Sequence, residues 1–262
     1  MNSKTSLKPS KDYIDCIASF DNTIQHCIDI SQKYAGISSP TGTHFYASVL
    51  FTSLCTRGIS LAILAPQSRW SIKIIDHWDY ASIAVMTRSI LEIRLAFFYL
   101  CVDPCTAEQW ESRWNIFNLH DCTARTRLFE EMQSEPTTIN DFNIQADELR
   151  NRLSSNSFFM RLPEKDKKKY LHGNHAYLYS LEEIAAKADI DVPSFRLLYK
   201  LLSSHVHGLP LAFYRMGTQE RGRGVHSEVE EGYTKMFLEF SIDLLTAASN
   251  EMESLFSKTN II

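Results

Sequence analysis

The residues best suited to chemistry gather in one stretch near the end of the chain, between Lys200 and His226. It reads KLLSSHVHGLPLAFYRMGTQERGRGVH and departs from the regular amphipathic pattern around it. A glycine and a proline follow the HVH triplet, so His205 and His207 should lie in the last turn of a helix. Imidazoles can accept and release protons near neutral pH, which makes these two side chains candidate catalytic groups together with Arg215.

The RGRG segment just ahead of the last helix has the composition of an anion site. Arg221 and Arg223 alternate there with glycines, and His226 follows. Backbone amides at a helix N-terminus and nearby arginines suit a phosphate, so we expect Lys200, Arg221, Arg223 and His226 to contact a phosphate-bearing ligand. The alternative is that the histidines only cap helix carbonyls and that RGRG is a solvated loop.

A second charged pair lies in the most apolar helical segment, which contains RSILEIRLAFFYL. Arg88 and Glu92 are four residues apart, a spacing that places them on one helix face and lets them pair. We interpret them as a supporting, partly buried ion pair. The other interpretation is that they orient His205 or His207 across a helical bundle.

Known catalytic and metal motifs are absent from the sequence. It contains no GxxxxGK[ST], GxGxxG, GxSxG or HExxH motif and no CxxC pair. His205 and His207 point about 200° apart on a helix, and His172 and His175 have no carboxylate or cysteine partner at a suitable spacing. We therefore predict no metal and no cofactor.

Composition indicates a globular protein of the cytoplasm. Hydrophobic residues make up 44% of the 262 residues, and the formal net charge of -4 argues against a surface that is basic throughout. The six cysteines show no disulfide or metal pattern, and the N-terminus has no signal-like apolar core. The apolar segment from Thr41 to Pro66 contains Arg57 at its middle, which favours a core helix over a membrane span. We expect no membrane partner.

Apolar residues recur at helical spacing along nearly the whole chain, and no sustained strand alternation occurs. We predict an all-α multi-helix bundle with long central and C-terminal helices. Its parts are a flexible N-terminus (1–10) and a single helical domain (11–258) with an irregular crossover (154–179). The central helix should span about Asp76 to Val102, with Asp103 capping the next. The last helix carries a long apolar seam, which is either core or the interface of a homodimer.

From about Asp76 onward the chain resembles a group of uncharacterised bacterial helical proteins, through RSILEIRLAFFYL, YKLLSSHVHGLPLAFYRM and GRGVHSEVEEGY. The SSHVHG segment is also similar, more distantly, to the HEPN superfamily of helical proteins. That superfamily includes dimeric RNA-cleaving toxins and defence proteins, alongside inert members. Its nucleases carry an Arg, a polar residue and a His within one or two helical turns. Here Lys200 stands five positions before His205, and lysine is the poorer phosphate clamp.

The resemblance implies a metal-independent endoribonuclease of a toxin or phage-defence system. His205 or His207 would take the proton of a ribose 2′-hydroxyl, and an arginine would stabilise the charge that develops on the phosphate. The alternative is a protein without catalytic activity. It would be a helical binding or dimerisation module with a separate protein partner, or a sensor of a phosphorylated ligand.

Overall fold

The chain forms an all-α structure, as predicted, in the computed structural model described below. The structure describes residues 8–75, 77–213, 222 and 224–257, and no strand occurs among them. The helices are α1 (Lys11–Lys33), α2 (Gly42–Leu64), α3 (Tyr80–Phe97), α4 (Ala107–Glu131), α5 (Pro136–Ser155), α6 (Ser157–Met160), α7 (Glu164–Leu171), α8 (Leu181–Lys187), α9 (Val192–Val206), α10 (Pro210–Phe213) and α11 (Glu228–Ser257). A π-helical turn (Phe98–Val102) continues α3.

The helices group into two compact units. Unit 1 comprises Met1–Val102 and Ala185–Ile262, and unit 2 comprises Asp103–Ile184. Within unit 1, α11 packs against α1, α2 and α3, while α9 packs against α3. Within unit 2, α4 packs along α5. Every sequence-predicted site residue that the structure describes belongs to unit 1.

The apolar seam of α11 forms part of the core of unit 1. The side chains of Phe237, Leu244, Ala248, Met252 and Phe256 are at most 2% exposed, because α1, α2 and α3 cover them. Burying such side chains supplies the main stabilisation of the helix. These five seam residues therefore belong to the core of unit 1, and the homodimer stays a prediction.

Helix α2 is the one helix of the described residues that is long and apolar enough to cross a membrane. Its apolar window has a mean hydropathy of 1.6, and 39% of that window is buried within the protein. Arg57 lies at the edge of the buried face, where its Nε donates to Ser89 Oγ at 2.7 Å. Gly58 lets α2 approach α1 closely, since a Cβ there would lie 2.6 Å from Ile24 Cδ1.

The junction between α3 and α4 differs from the sequence prediction. Helix α3 begins at Tyr80, where Asp79 accepts the backbone N–H of Ser82 at 3.1 Å, and the predicted start at Asp76 lies outside the described residues. Thr106, and not Asp103, caps α4. The reason is that the Asp103 carboxylate accepts a 2.7 Å hydrogen bond from the buried guanidinium of Arg113. It therefore does not cap the backbone N–H groups of α4.

Unit 2 has its own apolar core between α4 and the segment that follows it. The buried members are Ile116, Leu119, Cys122, Ala146, Leu149, Leu153, Phe159 and Tyr170. The interval 154–179, expected to be an irregular crossover with short helical turns, contains the end of α5 and the short helices α6 and α7. Asn156 caps α6 by accepting the backbone N–H groups of Phe158 and Phe159, each at 3.0 Å.

Candidate nucleic-acid interface

Helix α9 positions the predicted residues Lys200, His205 and His207. It begins where the Asp191 carboxylate accepts the backbone N–H of Ser194 at 2.9 Å, with a proline in the first turn. Leu202 is fully buried on the face of α9 that packs against α3. Packing on this side fixes the rotation of the helix and leaves the opposite side in solvent.

The solvent side of α9 carries a stripe of basic residues. At about 100° per residue, Arg196, Lys200, Ser203 and His207 fall within about 60° of one another around the helix axis. Arg196, Lys200 and His207 are exposed, and Ser203 is half-buried. His207 is the first residue beyond the helix, with φ -96° and ψ 3°, so it nearly continues the helical direction. We call these four residues the α9 stripe.

Arg88 of α3 reaches the α9 stripe from the side. Its Nη1 donates to the Tyr199 carbonyl oxygen at 3.1 Å and to Ser203 Oγ. Its Nε and Nη2 donate to Glu92 Oε1 at 2.9 Å and 2.5 Å, so the spacing of four residues does produce an ion pair. The Arg88 side chain is 14% exposed, and that of Glu92 is 36% exposed.

The ring of Tyr199 holds the Arg88 guanidinium in place. The guanidinium carbon lies 3.4 Å from the ring centroid, a cation–π contact, and Tyr199 Oη donates to Glu92 Oε1 at 3.4 Å. Burial and the Glu92 carboxylate raise the pKa of the Tyr199 hydroxyl, so this donor stays protonated at neutral pH. Arg88 is thus a fixed cation next to the stripe, and its carboxylate partner remains partly in solvent.

His205 lies on the other side of α9. Nine residues separate it from Arg196, which places it about 180° from the α9 stripe. Its ring packs edge-on against Tyr80, with centroids 5.2 Å apart, and against Phe237 at 6.4 Å. The structure therefore separates the two candidate catalytic histidines: His205 joins an aromatic cluster, and His207 faces solvent.

His226 occupies a third environment, at the start of α11. Its Nε2 lies 2.7 Å from Glu231 Oε2, and its ring packs against Trp78 with centroids 4.7 Å apart. Glu231 also accepts the backbone N–H of Ser10 at 3.0 Å. Burial raises the pKa of Glu231, but the hydrogen bonds from Ser10 and His226 outweigh it and leave the pKa lowered. Glu231 therefore links α11 to the start of α1, and His226 is engaged with Glu231 and Trp78.

Arg215, Arg221 and Arg223, which the sequence proposes as anion contacts, lie outside the described residues. The two glycines of RGRG are described, and they line a cleft of about 340 Å³ together with His77, Asp79 and Glu230. Glu230 Oε1 accepts the Gly222 backbone N–H, and the Asp79 carboxylate accepts from Ser82. Two carboxylates in its lining make the described part of this cleft unfavourable for a phosphate.

Sequence reasoning assigned no role at the site to Arg196, Tyr199 and Ser203. The signal that finds this group is the spacing of positions 196, 200, 203 and 207, which follows one helix face. This signal is weak in the sequence, because His205 and His207 lie close together in the HVH triplet although they occupy different helix faces. The spacing of seven residues places His207 on the same helix face as Lys200, and core packing decides that this face is turned to solvent.

The described ranges contain no group of three or more His, Cys, Asp or Glu side chains that could hold a metal ion. Comparison with curated proteins finds no match, and comparison with solved structures finds none. Residues 44–224, more than half of the chain, match a family of unknown function, DUF5677. The matched range includes α3, α9 and every residue of the α9 stripe, and the chain belongs to this DUF5677 family.

Proposed function

We propose that the protein binds RNA along the α9 stripe and cleaves it without a metal, with His207 as the general base. The observation that carries this proposal is the alignment of two exposed cations, Arg196 and Lys200, with an exposed imidazole on one face of α9. Exposed cations on one face form an electrostatic footprint for a phosphodiester chain, even in a protein whose net charge is negative.

The distances along the helix suit a chain of phosphates. Arg196 and Lys200 are about 6 Å apart along the axis, and Lys200 and His207 are about 10 Å apart, at 1.5 Å per residue. In the proposed complex, Arg196 and Lys200 pair with phosphates that flank the cleaved linkage. Arg88, held by Glu92, Tyr199 and Ser203, supplies a fixed positive charge beside the stripe.

The proposed reaction is an internal transesterification. His207 accepts the proton of a ribose 2′-hydroxyl, the 2′-oxygen bonds to the adjacent phosphorus, and the bond to the 5′-oxygen breaks. The leaving 5′-oxygen takes a proton from solvent, and the product ends in a 2′,3′-cyclic phosphate. The resemblance of the SSHVHG segment to HEPN proteins supports a role in a toxin or phage-defence system. The proposed activity would act on RNA in the cytoplasm.

Cleavage of a fluorescent single-stranded RNA in the presence of EDTA tests the proposal. We expect His207→Ala to abolish cleavage while RNA binding remains, and Lys200→Gln to weaken binding and reduce the salt slope of log K by about 0.7. His26→Ala is the matched control, since His26 is an exposed histidine of α1. Cleavage by His207→Ala at the wild-type rate would contradict the catalytic role, and the absence of any RNA binding would overturn the whole proposal.

A second candidate function is a non-catalytic module that binds a protein partner. It is favoured by three exposed apolar side chains at the end of α9 and in the segment after it, with exposures of 45% to 68%: Val206, Leu209 and Leu211. Exposed apolar side chains grouped together are typical of interaction sites. Co-purification of another polypeptide, lost in Leu209→Lys and Leu211→Lys, with no RNA cleavage in any preparation, would favour this function.

A further inference from the structure

Unit 2 contains a cleft that no part of the proposed RNA site uses. It has a volume of about 340 Å³ and lies between α4 and the end of α5. Its lining includes Trp110, Glu111, Trp114, Asn115, Arg152 and Asn156. The volume is within the range of small-molecule sites, and the side chains combine two indoles with hydrogen-bonding groups of opposite charge. The cleft lies entirely within unit 2, and a ligand there is independent of RNA cleavage by the α9 stripe.

Asn115 contributes a polar group to the lining of the cleft. The residue is only 6% exposed, yet it lines the cleft. Its side-chain amide offers two donors and one acceptor oxygen. Such a group is well placed to bind a ligand in the cleft.

The neighbouring Asn156 forms a fixed wall of the cleft. Its Oδ1 accepts from Ser112 Oγ at 2.7 Å and from two backbone N–H groups at the start of α6, so it is fully engaged. Its Nδ2 donates to the Glu108 carbonyl oxygen at 3.0 Å and reaches Glu111 Oε2 at 3.4 Å. Glu111 is otherwise exposed, and its carboxylate has capacity for two further donors.

The aromatic and cationic sides of the cleft complete the site. Trp110 and Trp114 are one helical turn apart on α4 and half-buried, so they share a face that can pack against a planar ring. Arg152 stands at the rim with its side chain 58% exposed, and its nearest carboxylate, Glu148, is 3.8 Å away. A guanidinium this weakly held can turn to bind a phosphate.

We propose that this cleft binds the guanine base of a nucleotide. Guanine presents two adjacent donors, N1–H and the N2 amino group, which match the acceptor-only carboxylate of Glu111. It also presents the O6 acceptor, which matches the Nδ2 donor of Asn115. An indole stacks on the base, and Arg152 pairs with the phosphate. Adenine is disfavoured, because its N1 is an acceptor and would face the Glu111 carboxylate.

Calorimetric titration of the full chain with 5′-GMP and 5′-AMP tests the inference. We expect GMP to bind and AMP to bind at least tenfold more weakly. Glu111→Gln should weaken GMP binding by about 10- to 100-fold, the effect of losing hydrogen bonds to a charged acceptor. The same substitution should improve binding of 5′-XMP, since the introduced amide can donate to the C2 carbonyl of xanthine. A purely structural role for Glu111 would not produce this exchange of preference.

Two further measurements decide the outcome. Glu131→Gln is the matched control, because Glu131 is an exposed carboxylate of α4 outside the cleft lining, and GMP binding should not change. A short single-stranded RNA with one guanosine shows whether the base comes from a free nucleotide or from RNA. Equal binding of GMP and AMP would overturn the proposal. So would unchanged GMP binding by a folded Glu111→Gln variant, or no binding of either GMP or the RNA.

Discussion

The ion pair between Arg94 and Glu251 gives the sharpest test of how unit 1 is stabilised. Arg94 Nη2 lies 2.6 Å from Glu251 Oε1, and the side chains are 1% and 23% exposed. Arg94 Nε and Nη1 and Glu251 Oε2 are buried without a hydrogen-bond partner in the described part of the chain. The pair links α3 to α11, but its hydrogen bonding is incomplete.

Removing one partner should cost far more than removing both. Arg94→Met leaves a largely buried carboxylate without its cation, and breaking a buried pair costs about 3–5 kcal/mol. We expect about 3 kcal/mol, because Glu251 keeps partial access to water. Arg94→Met combined with Glu251→Leu removes both incompletely satisfied charges and should recover most of this loss, since apolar replacement of a buried pair is often neutral or stabilising.

The loss in Arg94→Met should also depend on pH. Burial raises the pKa of Glu251, and Arg94 offsets part of that rise. The pKa of Glu251 is therefore higher in the folded protein than in the unfolded chain. Protonation of Glu251 stabilises the folded state below the unfolded pKa, and this stabilisation is lost as the pH rises through the folded pKa. Without Arg94 the folded pKa rises further. The destabilisation should therefore be larger at pH 8 than at pH 5.

Urea unfolding followed by circular dichroism at both pH values measures these differences. Arg125→Met is the matched control, because Arg125 pairs with Asp121 while both side chains are at least half exposed, and we expect no measurable change. A loss below about 1 kcal/mol in Arg94→Met, equal at pH 5 and pH 8, would refute the reasoning. If the double variant is no more stable than Arg94→Met, the argument that the ion pair lacks hydrogen bonds is refuted.

Two smaller predictions concern packing and thiol reactivity. Gly58→Ala should lower stability by about 1–2 kcal/mol, because its Cβ would lie 2.6 Å from Ile24 Cδ1, whereas Gly232→Ala should raise stability because nothing lies within 4 Å of that Cβ. Thermal unfolding of the two variants compares them, and a gain in both would contradict the packing argument. A thiol reagent should rapidly label only Cys105 of the six cysteines in the native protein, since the other five are buried and burial raises the pKa of Cys16 to about 11. Rapid labelling of two or more thiols would contradict this.

The helices could be predicted where local pattern and tertiary packing agree. The apolar residues of α1 predicted a buried stripe: Tyr13, Ile14, Ile17, Phe20, Ile24, Cys27, Ile28 and Ile30. Six of these eight side chains are at most 4% exposed, whereas Ile28 is half-buried and Ile14 is 41% exposed. The junction after α3 was mispredicted, because Asp103 followed by Pro104 has the composition of a helix start. The guanidinium of Arg113, ten residues later, donates a hydrogen bond to the Asp103 carboxylate. Local sequence does not show that Arg113 is buried.

The candidate site shows the same limit at the level of single side chains. The sequence places His205 and His207 in one helical turn, and it also shows that they point in nearly opposite directions. It does not say which of the two faces the core. Packing decides, because Leu202 is buried against α3 and His205 lies against Tyr80 and Phe237. An aromatic ring of the core is therefore the partner of His205, and His207 is left as the histidine that an external phosphodiester can reach.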